Sequence, residues 1–277
     1  MFTSAMQLKG WIKNKSDETG VRANVLLQNY MMERFLERVS LSQYRENIIL
    51  KGGFLIAAMV GVGKRSTMDM DTTVKGLPVG RIEIASILRD IMVIEAGDGV
   101  SFEIRGIESI RNSSEYDDFR VSLTAAFHTV LVDMKIDMTV GDSIIPMEIE
   151  YQYKLMFEDR TISVMAYSLY TILAEKIETI LVRGVGNTRG RDYYDVYLLM
   201  SKNRDTLTKP ELLNAIKLKA QERGSATAIE NHKKILSDIA NSPDIAKIWN
   251  SYVKRYPYAN GIVFPDILAL VRWVFEA

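Results

Sequence analysis

The chain has no cysteine. That excludes disulfides, thiolate nucleophiles and cysteine-based zinc sites together. Only two histidines occur, His128 and His232, so a histidine-rich metal centre is excluded too. Any metal has to sit on oxygen ligands, which favours Mg²⁺ or Mn²⁺. No run of 18 apolar residues occurs, so no membrane-spanning helix is expected. The first 15 residues carry Lys9, Lys13 and Lys15 and have no apolar core, unlike a secretory leader. The expectation is a cytoplasmic protein with no membrane partner. A dominant sign of charge is also lacking: 35 Lys and Arg face 35 Asp and Glu. Residues 168–277 hold 16 Lys and Arg and 12 Asp and Glu, a basic bias too small to specify nucleic-acid binding.

What is present is hydrophobic residue in quantity, 47% of 277 residues, enough for one large or two modest cores. The first 40 residues read as two helices, the second with Val25, Leu26, Met32, Phe35, Leu36 and Val39 on one face. Ile48 to Leu50 reads as a short buried strand, broken by Gly52-Gly53, and Phe54 to Val60 as a buried helix. Met68 to Val74 alternates like a half-buried strand, and Ile82 to Ile94 is an amphipathic helix. Strand patterns follow at Phe102–Ile107, Phe119–Ala125, Val132–Val140 and Met147–Tyr153, which predicts a mixed or largely antiparallel sheet. From Ser168 the period becomes helical, with helices predicted over 168–182, 191–202, 209–222, 229–240, 244–255 and 265–276. The expected class is α+β: a sheet domain over 1–165, then an all-helical domain over 166–277.

Asp69 and Asp71 lie two residues apart in a strand pattern, so both carboxylates point to one face. Such a pair repels, each member raises the other's pKa, and a divalent cation relieves the repulsion. Met68 and Met70 alternate with them, so the opposite face is expected to be buried. An Asp-x-Asp pair is also what a solvated strand face shows. Asp137 joins the cluster if its strand lies beside the first; Asp133 lies on the same face of that strand and is the alternative. Gly52-Gly53 stands at a helix start, where free N–H groups favour phosphate. The loop Gly61–Ser66 is not a phosphate-binding Walker loop, because Ala58 and Arg65 stand where glycine and Ser/Thr are required. It is expected to carry Arg65, Ser66 and Thr67 toward phosphates. Lys176 sits among Ile172, Leu173, Ile177 and Ile180, and reads either as a snorkelling surface lysine or as a phosphate clamp. Arg183, Arg189 and Arg191 precede Asp192 at a helix start, a pattern of capping and salt bridges or of phosphate contacts.

The order of these motifs resembles the AbiEii toxin family. It runs Leu50-Lys51-Gly52-Gly53, Arg65-x-Thr67-x-Asp69-x-Asp71, Lys135-x-Asp137, Ala174-Glu175-Lys176, then Arg191-Asp192-Tyr193-Tyr194-Asp195. The resemblance implies a DNA polymerase β-like nucleotidyltransferase fold and the toxin role in a type IV toxin–antitoxin phage-defence system. It implies that Asp69, Asp71 and Asp137 hold Mg²⁺ (or Mn²⁺) and, with Lys176 and Asp195, carry catalysis. It places Gly52, Gly53, Arg65, Ser66, Thr67, Lys176, Arg183 and Asp192 at the nucleotide. The implied reaction is two-metal transfer from an NTP, GTP or CTP, to an RNA acceptor such as the 3′ end of tRNA. The implied protein partner is an AbiEi-like winged-helix antitoxin. Two other functions remain open on the residues alone: a kinase-like phosphotransferase, and a non-catalytic module that binds NTP or a partner.

Overall fold

The computed structural model describes residues 2–77, 80–111, 118–141 and 144–276. Its packing separates two compact units, Met1–Asp142 with Glu148–Ala166, and Ser143–Met147 with Tyr167–Ala277. Among the described residues there are seven strands and eleven α-helices, an α+β chain with a mixed sheet.

The first unit is built on that sheet. Its strands are β1 (Ile48–Lys51), β2 (Asp69–Val74), β3 (Val100–Arg111), β4 (Asp118–Phe127), β5 (Val130–Val140), β6 (Glu148–Lys154) and β7 (Thr161–Tyr167), in the order β3-β4-β5-β2-β1-β7-β6. Strands β3, β4 and β5 form an antiparallel meander. Strand β2 then runs parallel to β5 and antiparallel to β1, and β1 is parallel to β7. The period of two is plain in β5: Met134, Ile136 and Met138 are buried, while Asp133 and Lys135 are exposed. The helices of this unit are α1 (Ala5–Thr19), α2 (Ala23–Leu41), α3 (Gly52–Val60) and α4 (Arg81–Met92).

Two features depart from the sequence reading. Strand β7 was not among the predicted strands, although Ile162, Val164 and Ala166 alternate inward along it. It occupies the stretch where a domain boundary was expected. Helix α2 is buried nearly all round, not on one face alone. Its charged side chains are therefore paired. Arg38 forks onto Asp98 at 2.7 and 2.8 Å, Arg34 reaches Glu158 at 2.5 Å, and Arg160 clasps Glu37. Glu33 accepts the Met156 N–H at 2.7 Å and the Tyr153 hydroxyl at 3.2 Å. Burial pushes the Glu33 carboxyl up to about 8.

The second unit contains α5 (Leu169–Arg183), α6 (Gly190–Lys202), α7 (Lys209–Glu222), α8 (Ala226–Glu230), α9 (His232–Ala240), α10 (Pro243–Arg255) and α11 (Phe264–Phe275). Ser168 caps α5, its Oγ accepting the Thr171 N–H at 3.1 Å. Tyr193, Leu199, Ile216 and Ile267 form part of its core. The helix expected over 229–240 is two helices. Asn231 interrupts it, and its side-chain amide donates back to the Thr227 carbonyl at 2.9 Å. Among the described residues no helix is long and apolar enough to cross a membrane.

Candidate active site

Strand β1 ends at Lys51, and the chain turns directly into α3. Gly52 makes the turn with φ +67°, in the left-handed region. A Cβ there would also fall 2.0 Å from Asp71 Oδ2, so the close approach of backbone to carboxylate requires glycine. The next N–H, that of Gly53, donates to Asp71 Oδ2 at 3.3 Å. A Cβ on Gly53 would lie 2.9 Å from Arg65 Nη2. The glycine pair thus sits between Asp71 on one side and Arg65 on the other.

Arg65 is almost wholly buried, and its Nη1 donates to the Ser66 carbonyl at 2.6 Å. It lies against the glycine turn, beside Gly53. Thr67 is buried as well, with its Oγ1 3.4 Å from the Asp69 carbonyl, and Ser66 is half-buried. Met70 is fully buried but Met68 is 38% exposed, so the face opposite the aspartates is closed only beneath the second of them.

The parallel pairing of β2 and β5 sets Asp71 directly beside Asp137, and Asp69 beside Lys135. Adjacent strands stand about 4.8 Å apart, so the Asp71 and Asp137 carboxylates share one locality. Asp133 lies past the start of β2 and accepts a hydrogen bond from Thr124 at 2.8 Å. Register therefore separates the two candidates for the third position: Asp137 adjoins the pair and Asp133 does not. Burial raises the Asp71 pKa, and the charges of Asp137 and Asp69 push it further up against the Gly53 N–H and Lys51. A cation at this carboxylate group would relieve that cost.

Sequence reasoning missed Arg120. It stands on β4 opposite Asp137 and grips both carboxylate oxygens, at 2.8 and 2.7 Å. Nothing in the local sequence marks it; only the β4–β5 register brings it to the site. Lys51, at the end of β1, also reaches this locality. Its ammonium donates to Thr139 Oγ1 at 2.6 Å, on the strand that carries Asp137. Among the described residues no group of three or more acidic or histidine side chains forms a ready metal cage. Asp69 and Asp71 still fit a hard divalent cation. Mg²⁺ takes one or two carboxylates and keeps its other positions for water and phosphate oxygens. Asp137 already has a cationic partner in Arg120.

The second unit holds its own cluster. Lys176, on α5, places its ammonium 2.6 Å from Asp192 and 3.2 Å from Asp195, both on α6 and both buried. The lysine is thus no simple snorkelling residue: two carboxylates fix its head group. Arg183 and Arg189 are exposed at the ends of the α5–α6 connection, and Arg191 is half-buried.

The profile of the nucleotidyl transferase AbiEii toxins of type IV toxin–antitoxin systems matches residues 34–275. The chain belongs to that family. No curated relative matches it. Two Helicobacter pylori crystal structures share its fold. One is of a protein described as a nucleotidyltransferase, with 12% identity, TM-score 0.51, and 92% of this chain and 96% of the other covered. The other is JHP933, with 11% identity, TM-score 0.52, and 92% and 93% covered. The AbiEii chain is accordingly a nucleotidyltransferase of the toxin class, and its site is read in those terms.

Proposed function

We propose that this toxin transfers a nucleotidyl group from an NTP to a hydroxyl of RNA, with the 3′ end of tRNA as the foremost acceptor and GTP or CTP as the foremost donors. The observation that carries the reading is the register of Asp71 beside Asp137, with the Gly53 N–H on the Asp71 carboxylate. Asp69 and Asp71 would hold Mg²⁺, which when bound would supply charge neutralisation at the phosphate oxygens. Asp137, its carboxylate plane fixed by Arg120, accepts the hydrogen bond of that hydroxyl and orients it. The glycine turn lets the triphosphate approach the backbone. Lys176, its ammonium fixed by Asp192 and Asp195, is the proposed phosphate-contacting cation of the helical unit. The proposed partner is a winged-helix antitoxin encoded alongside.

The test is incubation with α-labelled NTPs, Mg²⁺ and total cellular RNA. Label is expected on tRNA-sized RNA, and it is expected to vanish with chelator or with Asp69→Ala. Label moving from γ-labelled NTP instead would make the protein a phosphotransferase. Absence of label from every RNA would remove RNA as the acceptor.

A further inference from the structure

The helical unit brings together two segments that are far apart in sequence and alike in charge. Residues 183–191 carry Arg183, Arg189 and Arg191 and no acidic residue; residues 248–258 carry Lys254 and Arg255 and none either. Gly190 joins them. It packs so tightly on Tyr252 that a Cβ at Gly190 would lie 2.7 Å from the tyrosine Cβ. The carboxylates that follow on α6, Asp192 and Asp195, are held by Lys176, and other ion pairs of this unit, Lys219 on Glu222 and Arg223 on Glu178, involve neither segment. Among the described residues Arg183, Arg189, Arg191 and Lys254 have no acidic partner. Gathering cations without counter-charge costs free energy through self-repulsion, and a stable fold does not need it.

Tyrosines are interleaved with these cations. Tyr194, in the family motif, lies 4.9 Å from Tyr258 between ring centres. Tyr252 lies 4.8 Å from Tyr256, which stacks on Tyr258 at 5.4 Å with 23° between the planes. Tyr194 and Tyr252 are core residues, but Tyr256 and Tyr258 are only half-buried. The Arg255 guanidinium lies 5.6 Å from the Tyr256 ring centre. Stacked aromatic faces among unpaired cations are the two components of a single-strand platform: bases stack on the rings, and phosphates meet the arginines. A duplex hides its base faces and cannot use the rings.

We propose that Tyr256 and Tyr258, with Arg189, Arg191, Lys254 and Arg255, form the docking platform for single-stranded RNA in this toxin. The proposal rests on the RNA-transfer reading above and names where the acceptor strand binds.

The experiment is fluorescence anisotropy with a short 5′-labelled single-stranded RNA and the full chain, without NTP or metal. Wild type is expected to prefer this strand to its duplex and to the DNA of the same sequence. Tyr256→Leu is expected to weaken binding about tenfold, as loss of one stacked base does, while Tyr256→Phe binds like wild type. Arg189→Gln, an exposed change, is expected to lower the slope of log affinity against log salt by about 0.7, one phosphate contact's worth. Wild-type binding by a folded Tyr256→Leu, or preference for duplex or DNA, would overturn the platform. The two readings fail separately. Tyr256-dependent RNA binding with no nucleotide transfer leaves the platform and removes the transfer reaction. Transfer with an unaltered KM for RNA in Tyr256→Leu does the reverse.

Discussion

At Gly52 two requirements coincide: a left-handed φ of +67° and the nearness of Asp71 Oδ2. Gly52→Ala is expected to destabilise by about 1–3 kcal/mol and to displace Asp71, so transfer activity falls as well. Gly10, inside α1 with nothing within 4 Å of its would-be Cβ, is the contrast. Gly10→Ala is expected to stabilise by about 0.5–1 kcal/mol. Urea unfolding of the two variants checks both signs. Arg120 presents a different balance. Its side chain is 41% exposed, so its pair with Asp137 contributes at most about 1 kcal/mol to stability. Yet it sets the orientation of a carboxylate at the proposed site. Arg120→Ala is expected to leave the unfolding midpoint within a few degrees and to lower kcat by about 10²-fold. An unchanged kcat would remove Arg120 from the machinery.

Among the elements, α2 carries the clearest pH signature. The folded-state pKa of Glu33 is about 8, against 4.5 for an ordinary glutamate, because burial penalises its charge. The folded state therefore holds the proton more tightly than the unfolded state. That stabilisation is complete below about 4.5 and is lost as pH rises toward 8. Glu33→Gln keeps an acceptor for the Met156 N–H and is expected to flatten this slope in thermal melts from pH 5 to 9. Asp98 works the other way. Burial would raise its pKa, but the Arg38 hydrogen bonds and the Val100 N–H outweigh burial and hold it below the usual range. Its contribution is lost as the medium becomes acid. Asp98→Ala leaves Arg38 buried without its carboxylate and is expected to cost about 3–5 kcal/mol. Helix α2 looked amphipathic because its apolar residues do share a face. The burial of its charges was illegible, since Arg34 and Arg38 find Glu158 and Asp98 at 124 and 60 residues' distance in the chain.

For the whole molecule the expected outcome is growth arrest when the toxin is expressed without its antitoxin, and rescue by Asp69→Ala. Lys176→Ala should also rescue, but it acts on the fold too. It takes the cation from between two buried carboxylates and is expected to cost about 3 kcal/mol. Combining it with Asp192→Asn should restore the melting temperature without restoring toxicity. A growth assay beside a melt of the purified variants separates the two effects. The family likewise belongs to this scale, because no single motif carries it. The ordered set does, and the profile match over residues 34–275 spans all five motifs.

The sequence by itself determined most of the element types, though not β7, together with the family and the shared face of Asp69 and Asp71. Those follow from local periods of two and 3.6, and from the order of motifs along the chain. Only the tertiary structure decided that Asp137, and not Asp133, adjoins Asp71. It alone supplied Arg120, buried Arg65 and left Met68 exposed. A period states which side a residue faces. Which strand lies beside it, and at what register, depends on long-range pairing that no local pattern records.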